Sequence, residues 1–206
     1  QKRSVQRIDQ MVRYVPNVEV TQDSNRFGNQ GFNIRGLEGN RVSIEIDGIP
    51  LSDGFSVGQF ASAGRDLVEI GVIERVEILR GPASTLYGSK ALAGVVAYYT
   101  LDPANADFSG GKLRGGASLG TQSRDDSQSW SANLMANGMD GHFTFLAAAG
   151  QISGHELSNQ AETPEDQANP ADSQRDSALL KFGMDFAAVG RWQLAFDHSN
   201  GEQKTD

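Results

Sequence analysis

Histidines, acidic side chains and hydroxyl groups are the residues of this chain whose chemistry suits catalysis or metal binding. The 3 histidines, His142, His155 and His198, lie apart in the second half and lack the H-x-x-x-H spacing of a helical metal site. No G-x-S-x-G nucleophile motif occurs, and the absence of cysteine excludes thiolate sites and cysteine nucleophiles. These patterns predict a protein that is not an enzyme and carries no cofactor of its own.

An acidic stretch in the second half is the remaining candidate for a metal site. Its members are Glu162, Glu165, Asp166, Asp172 and Asp176. They lack the alternating D-x-D-x-D register of a calcium-binding loop. The pattern therefore favours a solvated loop face over a metal site.

The segment GPASTLYGSK, residues 81–90, has the glycine, lysine and serine of a phosphate-binding loop. A Walker A loop requires G-x-x-x-x-G-K-[ST], in which lysine directly follows the second glycine. Here six residues separate Gly81 from Gly88, and Ser89 precedes Lys90. The spacing excludes a nucleotide site of this kind.

Two arginine–glycine pairs are the most distinctive charged positions. Arg35 and Arg80 each lie at the end of a predicted strand and are followed by a glycine, Gly36 or Gly81, that can adopt a positive φ and turn the chain. Glu77 lies at a spacing that allows it to face a cation on its own strand face. A planar arginine that binds a carboxylate through two hydrogen bonds fixes geometry as well as charge.

Overall charge and hydropathy restrict the class of protein. A net charge of -8 and a pI near 4.9 argue against nucleic-acid binding, which requires clustered Lys and Arg. No apolar run approaches the ~18 residues of a membrane-spanning helix. Nothing at Gln1 resembles a secretory signal, so we expect a mature or truncated product.

The first half mixes short helical and strand patterns. Residues 4–14 have apolar positions at helical spacing, and Pro16 ends that pattern. Residues 32–35, 42–47 and 76–79 are predicted strands, residues 36–40 a turn, and residues 65–70 a helical turn. Such interleaved elements predict a small α/β domain that ends near Asp102.

After Phe108 the apolar residues alternate with small or polar ones, and this two-residue period predicts about five strands. The apolar positions run from Leu113 to Leu119, from Trp130 to Ala136, from Phe143 to Ala149, from Ala178 to Phe186 and from Trp192 to Phe196. Short connections at residues 137–141 and 187–190 contrast with a long acidic connection at residues 153–173. Outer-membrane barrels have short periplasmic turns and long external loops, so the strand from Phe143 would run outward. On that interpretation Phe143, Phe186 and Trp192 lie near the inner interface and Trp130 near the outer one.

From these strands alone, a membrane barrel and a soluble β-sandwich both remain open. A sandwich shows the same alternation, with its apolar face turned inward. About five strands cannot enclose a plugged lumen, since plugged transporters have ~22. The barrel interpretation therefore implies a fragment of a longer protein.

Two segments carry a resemblance to a known family. Residues 32–50, FNIRGLEGNRVSIEIDGIP, and residues 73–100, IERVEILRGPASTLYGSKALAGVVAYYT, together closely resemble the plug domain of TonB-dependent outer-membrane receptors. The resemblance covers roughly residues 1–105. It implies an α+β plug domain at residues 1–105, followed at residues 106–206 by the first antiparallel transmembrane β-barrel strands of a larger receptor.

The resemblance also implies roles for the motif residues. Arg35 and Arg80 would bind acidic residues of the inner barrel wall and, together with Glu77, lock the plug to the barrel. An ordinary salt bridge within the domain is the alternative. Gly36, Gly81 and Pro82 would form the turns, and Tyr87, Gly88 and Ser89 a packing corner.

Energy-coupled import across the outer membrane of a Gram-negative bacterium is the function that the resemblance implies. The implied partners are a TonB-type periplasmic protein, outer-membrane lipid and an iron-complex or haemoprotein ligand. No coupling box is visible before the first predicted helix. The sequences of these motifs are most similar to those of the haem and haemoprotein receptors of the family, although ferric siderophore receptors share much of the same sequence.

Haem iron requires an axial His, Tyr, Met or Cys, and residues 15–86 contain none of these. Asp53, Phe55 and Phe60 of the glycine-rich loop and His155 of the long connection are the candidate ligand residues. A function of a different class also remains open, namely that of a β-rich surface protein that binds a partner and performs no transport.

Overall fold

The computed structural model describes residues 12, 14–22, 30–53, 55–57, 61–63, 70–123, 126–138, 141–155, 171–186 and 189–205. These residues divide into two compact units, one from Gln1 to Thr100 and one from Leu101 to Lys204. We call them the N-terminal unit and the C-terminal unit. The division at residues 105 and 106 expected from the sequence stays a prediction.

The N-terminal unit is built from short strands, as its mixed pattern predicts. Its strands are β1 (Val18–Gln22), β2 (Gln30–Ile34), β3 (Val42–Ile46), β4 (Ile49–Pro50), β5 (Phe55–Val57), β6 (Ala61–Ala63), β7 (Ile73–Arg80) and β8 (Gly94–Thr100). A helical turn, α1 (Ser84–Tyr87), lies between β7 and β8, and 3-10 helices span Gly39–Arg41 and Ile70–Val72. Of the helix predicted at residues 4–14, only Val12 is described as helical, and residues 65–69 lie outside the described part.

A four-stranded sheet in the order β4-β3-β8-β7 forms the centre of this unit. β8 pairs parallel with β3 and antiparallel with β7, so both of its edges are hydrogen-bonded, and its residues are buried or half-buried. Phe32 and Ile34 of β2 pack with Val96 and Tyr98 of β8 in the main core. The antiparallel pairs β1–β2 and β5–β6 form two further small sheets.

The C-terminal unit confirms the prediction of about five strands. They are β9 (Leu113–Gln122), β10 (Ser127–Gly138), β11 (Phe143–Gly154), β12 (Ala171–Phe186) and β13 (Gly190–Thr205). They form one 5-stranded sheet in the order β13-β12-β11-β10-β9. The pairs β9–β10, β10–β11 and β11–β12 are antiparallel.

The two faces of this sheet differ in burial. The predicted apolar face is exposed, and its large members include Leu119, Trp130, Leu134, Phe145, Leu180, Phe182, Trp192, Leu194 and Phe196. On the opposite face, Leu146, Leu179 and even Lys181 are buried. A soluble sandwich would bury the face that is exposed here, so this burial argues against that alternative.

No helix in the described segments is long and apolar enough to cross a membrane.

Candidate functional site

The Ile34–Leu37 turn contains Arg35, the residue directly after β2. Ile34 and Leu37 exchange backbone hydrogen bonds of 2.9 and 3.1 Å across two residues of positive φ, Arg35 at 55° and Gly36 at 82°. Two successive positive φ angles are typical of a tight type I′ turn, which glycine accepts readily and arginine rarely. The sequence predicted that glycine turns the chain here, and the structure adds that Arg35 shares the turn rather than ending the strand.

Arg80 is the last residue of β7. Its Nη1 donates a hydrogen bond of 2.9 Å to the backbone carbonyl of Pro16. Gly81 follows at φ 129°, and its N–H donates to the carbonyl of Ala93 at 2.9 Å. The chain therefore leaves the sheet at Gly81-Pro82, while the Arg80 side chain contacts the turn at residues 14–17.

One turn of the chain connects the two arginine motifs. The backbone N–H of Arg35 donates to the carbonyl of Asn17 at 3.1 Å, next to the Pro16 carbonyl that Arg80 binds. The backbone carbonyls of these two adjacent residues thus accept one hydrogen bond from each motif. Sequence reasoning missed this role of Pro16 and Asn17, because a backbone carbonyl acceptor leaves no signature in residue type.

Glu77 faces a cation of its own strand. Arg75 Nε donates to Glu77 Oε1 at 3.0 Å, and the Arg75 guanidinium lies 3.9 Å from the centre of the Tyr99 ring. Both charged side chains are about half exposed. An exposed ion pair contributes little stability, so this pair orients Glu77 more than it strengthens the sheet.

The segment after Arg80 forms a compact corner. Ala83 N–H donates to the Ala91 carbonyl at 2.8 Å, which closes the chain around α1. Ala83, Ala91 and Val95 form a small buried cluster beneath it. Tyr87 is the last residue of α1, Gly88 follows at φ 82°, and Ser89 begins the return. The packing role expected for Tyr87, Gly88 and Ser89 stays a prediction, since all three are exposed.

The other end of the sheet is closed by Asp47. Its carboxylate accepts from the backbone N–H of Thr100 at 2.9 Å and from the Thr100 hydroxyl at 2.5 Å. Asp47 also has a positive φ of 49° and precedes Gly48 in the β3–β4 turn. The Asp-Gly pair is a strong hairpin signal, and the bond to Thr100 fixes that hairpin to the end of β8.

The candidate ligand residues belong to both units. Asp53 forms an ion pair of 3.1 Å with Lys90 in the N-terminal unit. The side chain of Phe55 and the whole of Phe60 lie outside the described residues, although the predicted loop does contain the β5–β6 hairpin. His155, in the C-terminal unit, forms a contact of 2.7 Å from its Nδ1 to Asp172 Oδ1.

The His155–Asp172 pair lies where β11 ends and β12 begins. When Nδ1–H donates to a carboxylate, the tautomer is fixed and the lone pair lies on Nε2, the nitrogen that commonly binds iron or zinc. His142 instead contacts the carbonyl of Asp185 through Nδ1 at 3.2 Å, in the turn before β11. No group of three potential metal-ligating residues is found within the described ranges.

The chain is similar to known proteins along its whole length. Residues 1–95 match the family described as TonB-dependent Receptor Plug Domain. The hemoglobin and hemoglobin-haptoglobin-binding protein A of Haemophilus influenzae is 31% identical over 221 residues, which cover 96% of this chain. The chain spans 20% of the length of that relative.

Two solved structures share the fold. The pyoverdine outer membrane receptor FpvA of Pseudomonas aeruginosa superposes with a TM-score of 0.71 at 19% identity, over 96% of this chain and 25% of that one. The FrpB iron transporter of Neisseria meningitidis gives 0.71 at 18% identity, over 94% of this chain and 29% of that one. Both alignments include the plug-like unit and the strands that follow it.

Proposed function

Because the chain belongs to the family of TonB-dependent receptors of the Gram-negative outer membrane, we propose that it forms part of a receptor that imports an iron complex, with haem as the favoured cargo. The observation that carries this proposal is the similarity over 96% of the chain to a protein named for haemoglobin binding. The exposed apolar face of the 5-stranded sheet supports it, because a barrel turns such a face to lipid.

The N-terminal unit would act as the plug that closes the barrel. The outer membrane has no ATP supply or ion gradient of its own, so the energy for import would come from a TonB-type periplasmic protein that pulls on the N-terminal segment. Pro16 and Asn17 are the first described turn of that segment and accept hydrogen bonds from both arginine motifs. A pull on the N-terminus would be transmitted to these bonds along the chain. The process involves no chemical conversion of the cargo, so no catalytic residue is proposed.

The locking role of Arg35, Glu77 and Arg80 remains part of this proposal. All three side chains are exposed in the N-terminal unit, which leaves Arg35 and Arg80 accessible to acidic positions elsewhere in the receptor. A guanidinium carries five N–H donors, so a bond to the Pro16 carbonyl is compatible with a bidentate bond to a carboxylate.

Replacing Arg80 by alanine tests the lock. Hydrogen bonds to charged groups contribute about 1.5–3 kcal/mol, so we expect the variant to leak bulky antibiotics about tenfold faster through a plug that is held less firmly. Cargo affinity, measured by titration of the purified receptor, is expected to stay unchanged. Arg41→Ala is the matched control, since Arg41 is also exposed and lies in the 3-10 helix before β3. Equal leakage in the two variants would contradict the lock.

A ferric siderophore is the alternative cargo, and the similarity to a pyoverdine receptor favours it. The two cargoes differ in what they need from the protein: haem iron takes an axial side-chain ligand, whereas a siderophore already satisfies its iron. His155 is the candidate axial ligand in this chain, because Asp172 orients its ring. Asp53 and its partner Lys90 remain candidates for polar contacts to either cargo.

Haem titration of the intact receptor in detergent, followed by the Soret absorbance, distinguishes the two cargoes. We expect a saturable Soret shift that a ferric siderophore does not compete away. We also expect His155→Ala to weaken binding by about tenfold, because an axial ligand contributes at least as much as a charge-assisted hydrogen bond. His142→Ala is the control, since that ring lies in a turn at the other end of β11. Binding of a ferric siderophore without any binding of haem would overturn the haem assignment and leave the receptor class intact.

A further inference from the structure

Asp102 begins the linker between β8 and β9, and its carboxylate organises the linker locally. Oδ1 accepts from the backbone N–H of Ala104 at 2.8 Å, which caps the 3-10 helix Pro103–Asn105. The backbone carbonyl of Asp102 accepts from Asn105 at 3.0 Å. Pro103 is almost fully buried. The start of the linker is therefore a defined turn that packs within the C-terminal unit.

The same carboxylate accepts from two side chains of a distant strand. Arg191 Nη2 lies 3.2 Å from Asp102 Oδ1, and Gln193 Nε2 lies 3.3 Å from Oδ2. Arg191 and Gln193 both belong to β13, two residues apart, so they share one face of the strand. The Arg191 and Asp102 side chains are only 29% and 24% exposed. A partly buried, charge-assisted pair is stronger than an exposed one.

The neighbouring strands provide both an acceptor and space for the Arg191 guanidinium. Nη2 also donates to Thr144 Oγ1 of β11 at 3.3 Å. Gly183 of β12 lies beneath it, and a Cβ added there would come within 3.0 Å of Nη2 and would collide with Thr144. The missing side chain at Gly183 therefore leaves the space that the guanidinium occupies.

The charge state of Asp102 follows from these neighbours. Burial alone would raise the pKa of its carboxyl group, but the hydrogen bonds from Ala104 and Gln193 and the charges of Arg191 and Lys181 together hold the pKa below its ordinary value. A depressed carboxyl pKa means that the interaction is complete above the unfolded-state pKa of about 4 and is lost only as the pH falls below it. At neutral pH the group is a carboxylate.

We propose that Asp102 and Arg191 form a clamp that fixes the linker to β11 and β13, so that tension applied to the N-terminal unit ends at residues 100–102 and does not peel the linker from the sheet. The proposal rests on energy-coupled import as the proposed function. Asp102 and Arg191 are then positioning residues: they touch no cargo, and they define the fixed end against which the N-terminal unit is moved.

Hydrogen exchange of the linker tests the clamp without cargo or coupling partner. In the intact receptor in detergent, Arg191→Gln is expected to accelerate exchange of the amides of Ala104 and Asn105 by about tenfold, although Arg191 is remote from them in sequence. Asp102→Asn keeps an acceptor for the Ala104 amide but removes the charge, and we expect a similar acceleration. The double variant is expected to exchange no faster than either single variant, because both remove one interaction.

Asp107→Asn is the matched control. The Asp107 carboxylate lies in the same linker, is exposed, and accepts from the backbone N–H of Ser109 at 2.9 Å. Its substitution is expected to leave exchange at Ala104 and Asn105 unchanged. Wild-type exchange in Arg191→Gln, or additive effects in the double variant, would overturn the clamp.

Uptake of the radiolabelled iron complex provides the second readout. We expect Arg191→Gln and Asp102→Asn to lower the initial uptake rate several-fold while the cargo Kd stays constant. Accelerated linker exchange together with wild-type uptake would overturn the positioning role. A receptor that imports no iron complex in any variant would refute the proposed function, and the exchange measurement would still decide whether the clamp exists.

Discussion

Replacing Gly94 by alanine is expected to separate β7 from β8 and to open the central sheet of the N-terminal unit. Gly94 pairs with Arg80 on one side and with Val42 on the other. A Cβ at this position would collide with the carbonyl oxygen of Leu79 and would come within 3.0 Å of Ile34 Cδ1. A backbone oxygen in a strand ladder cannot move without breaking the ladder, so we expect a loss of about 3 kcal/mol or more.

The effect is measured in the intact receptor by hydrogen exchange of residues 94–100 and by entry of bulky antibiotics into cells. Both should increase strongly in Gly94→Ala. Gly110→Ala is the control, because a Cβ added there meets no heavy atom within 4 Å. If Gly94→Ala showed the exchange and permeability of Gly110→Ala, the close packing of β7, β8 and Ile34 would be wrong.

Arginine in place of Leu180 is expected to block assembly into the outer membrane. Leu180 pairs with Ala147 on the exposed apolar face of β12, and the next residue, Lys181, is buried on the opposite face. A lipid-facing arginine near the bilayer midplane costs roughly 2–4 kcal/mol, whereas a charge on the other face is tolerated. We expect little folded receptor in the outer-membrane fraction of cells that carry the variant.

Ser118→Arg is the matched substitution on the other face. Ser118 is exposed and its hydroxyl lies 2.7 Å from that of Ser131, so this side of β9 and β10 is already polar. We expect Ser118→Arg to assemble normally. Equal assembly of both variants would show that the apolar face does not meet lipid, and would return the non-transporting surface-binding protein to consideration.

Much of the strand content could be predicted because strand periodicity is local. The alternation in residues 113–119 and 192–196 depends on neighbouring residues only, and β9 and β13 contain these runs. The parallel partnership of β3 with β8 could not be predicted, because pairing of distant strands leaves no local pattern. The two-residue strand β4 and the β5–β6 hairpin were missed, since three residues or fewer are too short for a periodic signal.

The candidate site was predictable to a smaller degree. Arg35 and Arg80 stood out because an arginine followed by glycine at a strand end has a recognisable geometry. Their hydrogen bonds to Pro16 and Asn17 could not be predicted, because the acceptors are backbone carbonyls, which every residue has. From the sequence Asp102 is recognisable only as a domain boundary, and its partner Arg191 lies near the other end of the chain, where the alternation of a strand accounts for its presence.

The parallel pairing of β3 with β8 also determines when this unit can fold. Val42 pairs with Gly94, and strands β4 to β7 lie between them in the chain. β3 therefore waits for its central partner until β8 has been synthesised and exported, and such non-local pairing slows folding. During that interval the segment VSIEI has only its last two residues paired, with β4, and its other edge is open to aggregation.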